Sequence, residues 1–265
     1  MGKNEACMFL WNETVGKRGS AEIASCILKY IELNFQKLKP GQTRTLKLWS
    51  DRCIGQNNNW RLIGVMQHLV TNHFFTIVEQ KFMTTGHSFL PCDRDFALIE
   101  KAKKGKHVYV PFQWVEIIAH ANSNHPFTVC LMNTEDFKNT DIVLNSLATN
   151  KFNITNHVWY QMTADDPTTL RGRTAHNVLQ PWYGHVLSKI IRERDDVNTS
   201  KTSTSQKKRS SKKEVRRYPP VVVQQFPRLY EGTLPIKAAK KKDLLDMCRY
   251  IPQEYVPFYE NIAVE

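Results

Sequence analysis

Along the first half of the chain the apolar positions switch repeatedly between the period of a strand and the period of a helix. Residues 6–12 (ACMFLWN) form a short apolar run suited to a buried strand, and after a glycine turn Ile23, Ile27, Tyr30, Ile31 and Phe35 follow at helical spacing. The segment TRTLKLWSD alternates and ends on Asp51, the polar loop RCIGQNNN follows, and Leu62, Val65, Met66 and Leu69 mark a second helix. FFTIVEQKFM reads as a third strand, GHSFLPCDRDF as a structured loop and DFALIEKAKK as a helix. KHVYVPF then predicts a strand running into the helix FQWVEIIAHAN, and FTVCLM one more strand.

This alternation through residues 6–132 predicts a partly parallel sheet covered by helices. Further on, NHVWYQMT reads as a strand, and the tract from Arg171 to Ile191 as a loop and a helix. From Thr199 to Arg217 the composition changes to TSKTSTSQKKRSSKKEVRR, in which eight Lys or Arg face the single acid Glu214, the composition of a disordered basic linker. A Pro-bounded turn, the helix KKDLLDMCRY and an aromatic tail through Tyr255, Phe258 and Tyr259 close the chain. The expected divisions are a core over 1–192, a linker over 193–217, and a closing segment over 218–265 that packs on the core.

Charge narrows the partners. A net charge of +12 and a sequence pI near 9.4 create a potential that concentrates polyanions, nucleic acids and anionic membrane surfaces alike. No stretch approaches the roughly 18 apolar residues of a spanning helix, and the start MGKNEACMFLW lacks the apolar run of a secretory signal. The six cysteines include no CxxC pair and outline neither a disulfide framework nor a zinc ligand set, which suits a reducing compartment. The basic tract, with Lys207, Lys208, Arg209, Lys212 and Lys213, has the composition of a phosphate-binding or nuclear-import segment, so a nuclear or cytosolic location is expected. Nucleic acid, DNA before RNA, is the expected partner; no membrane partner is expected, and homo-oligomers stay open.

Candidate chemistry gathers in two places. Asp51 stands where a strand meets a loop, the position at which side chains in open α/β sheets project into a crevice, and it is either a metal ligand or the first residue of a turn. Gln56, Asn57 and Asn59 supply amides that can bond bases or sugars, or cap the next helix. In GHSFLPCDRDF, His87, Asp93, Arg94 and Asp95 lie within ten residues. Carboxylates converging there with Asp51 could hold two Mg²⁺ or Mn²⁺ ions for phosphodiester chemistry, with His87 acting on water or phosphate; Asp93 or Asp95 could equally cap the following helix. Glu22, in the first turn of the first helix, is either a favourable helix-terminus carboxylate or a further ligand.

Taken in order, WNETVGKRGSAEIASCILKYI, LWSDRCIGQNNNW, FMTTGHSFLPCDRDFALIEK and KKKDLLDMCRYIPQEYVPFY resemble a family of transposon-derived proteins abundant in insects and other animals. Its patterns here are SDxCxGQNxN and GHSxxPxDRDFxxIE. The resemblance implies an α/β fold with an RNase H-like mixed sheet flanked by helices, of the transposase or integrase type. It places Asp51 as the strand-end acid, Glu22 as the first-helix glutamate, and Asp93 or Asp95 in the region of the last acid. Members of the family carry a first core strand with its own acid before the WNE segment. The resemblance therefore implies an N-terminally truncated core here, with an incomplete set of metal-binding acids. Two functions follow as expectations: a metal-dependent nuclease or strand-transferase, or a non-catalytic nucleic-acid-binding or protein-interaction module derived from one.

Overall fold

A computed structural model describes residues 5–84, 86, 89–149, 152–189 and 217–265. Residues 199–216 of the basic tract, with Lys207, Lys208, Arg209, Lys212 and Lys213, and His87 lie outside the described residues. In chain order the elements are β1 (Cys7–Leu10), α1 (Ser20–Asn34), β2 (Thr45–Ser50), α2 (Trp60–Thr71), β3 (Ile77–Phe82), α3 (Pro91–Lys103), α4 (Gln113–Ala119), β4 (Thr128–Leu131), α5 (Asp141–Ser146), β5 (Trp159–Thr163), β6 (Thr169–Arg173), β7 (Tyr183–Val186), α6 (Ala238–Met247) and α7 (Val256–Glu260). The fold is mixed α/β, as the alternating periods imply.

The main sheet runs β2-β3-β5-β6-β7. β2 and β3 are parallel, which their connection through α2 requires, and β3, β5, β6 and β7 then pair antiparallel in turn. β1 and β4 form a separate two-stranded parallel sheet. One face of the main sheet, carrying Val78, Phe82, Tyr160, Met162 and Leu170, packs against α1 and α2 through Leu28, Ile31, Met66, Leu69 and Val70. α3 and α4 cover the small sheet through Ile99 and Ile118. Val223 and Phe226 of the closing segment belong to the main core, and Leu229 and Tyr230 pack beside Met132 and Phe137.

Two expectations from the local pattern are corrected. Residues 107–110 form no strand: the Gln113 side chain accepts from the backbone N–H of Tyr109 at 2.7 Å and Val110 at 3.1 Å, turning the segment into the entry of α4. The tract from Arg171, read as loop and helix, instead completes β6 and supplies β7, and no helix occurs in its described part. Gly172 explains part of this. A Cβ there would meet the His157 ring at 2.5 Å, so the inward position of β6 is a glycine beneath an imidazole and gives no apolar signal.

Gly172→Ala is expected to cost about 1–3 kcal/mol by overpacking, read as a lower denaturant midpoint. An unchanged midpoint would show that His157 can move aside freely. A second expectation concerns acid. Burial, with Lys37 adding to it, depresses the His68 pKa from 6.5 to about 4, and burial lowers His157 and His185 in the same sense. Between those two values for His68 the unfolded chain binds more protons than the folded one, so stability is full above pH 6.5 and falls as pH drops toward 4. Urea unfolding at neutral pH and within that window checks the fall, and His68→Gln should make it smaller.

Candidate functional site

The loop after β2 is built by its own polar groups. The Asp51 carboxylate accepts from the backbone N–H of Cys53 at 3.0 Å and from the Asn57 amide at 2.7 Å. The Cys53 carbonyl accepts from the N–H groups of Gln56, Asn57 and Asn58 at 3.2, 2.7 and 3.0 Å. Asn59 caps α2, its side-chain oxygen accepting from Leu62 N at 3.1 Å, while its amide donates to the Ile54 carbonyl. Gln56 reaches the Arg18 carbonyl at 3.4 Å, tying this loop to the entry of α1. Asn58 is buried, and its side-chain oxygen has no partner.

The acids of the second cluster sit elsewhere. Asp93 accepts from the Leu90 N–H at 2.7 Å and caps α3, which begins on Pro91. Asp95 and Arg94 line a cleft of about 510 Å³ with Asn122, Asn124 and His125, on the side of the molecule where α3 lies over the small sheet. Glu22 is buried, accepts from Gly19 N at 2.8 Å and takes the Tyr230 hydroxyl of the closing segment as its second partner. Asp51 and Asn57 are thus in contact, Glu22 and Asp93 each serve a helix start, and among the described residues no three His, Cys, Asp or Glu side chains gather as a metal site.

A different set of side chains does assemble, and the sequence reading missed it. The registers Trp49↔Lys81, Lys81↔Trp159 and Trp159↔Arg173 put these four residues in one line across β2, β3, β5 and β6, on the face opposite the main core. The Lys81 ammonium lies 3.7 Å from the Trp159 ring centre and 5.2 Å from that of Trp49. The Arg173 guanidinium lies 4.8 Å from Trp159 and 3.9 Å from Trp182, so rings and cations alternate from Trp49 to Trp182. The adjacent row is Lys47, Glu79, Gln161 and Arg171. Glu79 is buried, accepts from the Gln161 amide at 2.9 Å, and stands 4.0 Å from the Lys81 ammonium. Burial, then Lys47 and Arg173, hold the Lys81 pKa below its usual value against the pull of Glu79. The available signal was the outward positions of each strand, K-x-W in β2 and R-x-R in β6, which join only once the strand order is known.

Asn59→Ala is expected to cost about 1 kcal/mol through loss of the α2 cap, whereas Gln56→Ala, with one long bond, should stay within about 0.5 kcal/mol. Denaturant midpoints of the two variants check the ranking.

No helix among the described residues is long and apolar enough to cross a membrane. Neither the curated proteins nor the solved structures contain a match to the chain. A domain family does match, over residues 1–176 and therefore most of the sequence. The chain belongs to the family described as a domain of unknown function, DUF7869.

Proposed function

We propose that this chain is a nucleic-acid-binding protein of RNase H-like, transposase-derived ancestry that holds DNA without cutting it. The observation that carries the reading is the outward face of the main sheet, where, among the described strand positions, Lys47, Lys81, Arg171 and Arg173 stand against one carboxylate, Glu79. The chain's net charge of +12 favours the same class of partner. The ancestry rests on the SDxCxGQNxN and GHSxxPxDRDFxxIE patterns. It is supported by Asp51 following the C-terminal end of a parallel strand and by Asp93 and Asp95 on α3, the helix that follows β3.

Binding is favoured over cleavage because the acids are engaged separately. A Mg²⁺ or Mn²⁺ site would draw on Asp51, Asp93 and Asp95, but Asp51 closes its own loop and Asp93 caps its own helix. Asp95 faces the cleft beside Arg94 and His125. No cleavage step is therefore assigned to these residues.

The test is retention of labelled single- and double-stranded DNA in EDTA over a range of salt, with cleavage of the same DNA assayed in Mg²⁺ or Mn²⁺ beside Asp51→Ala. Retention should weaken steeply with salt, log K falling by roughly 0.7–0.9 per phosphate neutralised for each tenfold rise in salt, with neither protein cutting. Cutting that Asp51→Ala abolishes would establish the nuclease reading instead. Absence of retention at low salt would remove the nucleic-acid reading altogether.

A further inference from the structure

We propose that the line Trp49, Lys81, Trp159, Arg173 and Trp182 is a base-stacking surface for single-stranded nucleic acid, with Lys47 and Arg171 of the adjacent row serving the phosphates. The proposal rests on the nucleic-acid reading above and adds to it a place and a strand preference.

Register makes the line continuous across the strands. Four of the five residues are direct cross-strand partners on consecutive strands, and at about 4.8 Å per strand they cover about 14 Å of sheet. The helices pack elsewhere: α1 and α2 fill the opposite face, α5 lies on α2, and α3 and α4 cover the small sheet. A sheet face that presents the open Trp49 ring beside cations suits an unpaired base, because every base has a π-face and each stacked base brings a phosphate with it. In a duplex the bases are already stacked on one another, and only phosphates could reach this face.

The residues divide the work. Trp49, on the edge strand, is 47% exposed and is the open ring. Trp159 is 6% exposed and forms the floor, clamped between Lys81 and Arg173. Trp182, from the β6–β7 connection, is half-buried and covers Arg173 from the other side. His176 of the same connection stands 5.4 Å from Trp49 and is tethered at 2.8 Å to the Phe82 carbonyl.

A second, independent observation points to a ligand rich in acceptors. The buried side-chain atoms without a hydrogen-bond partner include Trp159 Nε1, Arg173 Nε and Thr163 Oγ1, and all three residues are on this face. The first two are N–H groups that can only donate, so what completes them must accept, as phosphate oxygens and base carbonyls do. Trp182 packs beside both residues, its ring centre 5.1 Å from that of Trp159 and 3.9 Å from the Arg173 guanidinium. An acidic peptide also offers acceptors and negative charge, but its Asp and Glu side chains give the exposed Trp49 ring no aromatic face to stack on.

The experiment uses the full chain in EDTA, with fluorescence anisotropy of labelled oligo-dT and of a duplex of equal length. It compares wild type with Trp49→Ala, Trp49→Phe, and a chain in which Lys207, Lys208, Arg209, Lys212 and Lys213 are replaced by Gln. Trp49→Ala should weaken oligo-dT binding about 5- to 150-fold, the loss of one stacked base, and leave the duplex nearly unchanged. Trp49→Phe should restore most of the affinity, and oligo-dT should quench tryptophan fluorescence where polyphosphate does not. Equal oligo-dT affinity for wild type and Trp49→Ala, with all binding lost in the Gln-substituted chain, would overturn this surface while leaving the nucleic-acid reading standing. Quenching by polyglutamate that matches oligo-dT would assign the face to an acidic protein segment and overturn the proposal. If wild type bound neither oligonucleotide, the broader reading would fall and this proposal with it.

Discussion

The strand β3 is committed on both edges: parallel to β2 on one side, antiparallel to β5 on the other. That double pairing fixes which side chains share a face. Val78, Gln80 and Phe82 are buried on the core side, where α2 packs, and Ile77, Glu79 and Lys81 take the opposite side. A slip of one residue would exchange the two sets, driving an ammonium and a carboxylate into the apolar cluster and exposing Phe82. The core therefore holds the register, and the register holds the alternating tryptophans and cations on the far face. Polar pins reinforce it at the end of β2, where the Gln80 amide donates to the Ser50 hydroxyl at 2.9 Å.

Placing cations in that line has an electrostatic cost. Arg173 is 8% exposed and the Lys81 side chain 15%, so both lose hydration, and they also repel each other. Ring faces of Trp159, Trp49 and Trp182 offset part of this, since a cation over an indole gains more when partly desolvated. Glu79 returns a little more. What remains is an excess of positive charge and of N–H donors along this line. Asp51, Glu22 and Asp93 do the opposite kind of work, closing the loop after β2 and the first turns of α1 and α3. The same polar residues that could have formed a catalytic cluster are used to begin helices and turns, which is the commoner use of acids at those positions.

Legibility followed the chemistry of each segment. β2 and β5 were readable because their inward residues, Leu46 and Leu48, Tyr160 and Met162, are apolar at every second position, and β3 because Val78 and Phe82 flank the one inward polar residue, Gln80. β6 and β7 were not, because Gly172 lies under His157 and β7 turns Tyr183 and His185 to that side. Residues 107–110 alternate like a strand, yet Gln113 captures their N–H groups, and the Tyr109 ring stacks on Tyr255 of the closing segment, 5.4 Å away. For the site, Asp51 at the strand end and Asn59 as a cap were visible from local sequence. The tryptophan–cation line was not, because its members come from four strands and a connecting loop, 133 positions separating Trp49 from the last of them, Trp182. Only strand order makes them neighbours, and strand order is set by tertiary packing.

The most direct measurement is the ¹H–¹⁵N spectrum of the six tryptophan indole N–H groups as single-stranded oligo-dT is added, because each indole reports on its own surroundings. The account predicts that Trp49, Trp159 and Trp182 shift together and saturably, while Trp11, Trp60 and Trp114, which lie on other elements, stay in place. Binding of the oligonucleotide without movement of the first three, or with shifts spread evenly over all six, would contradict it.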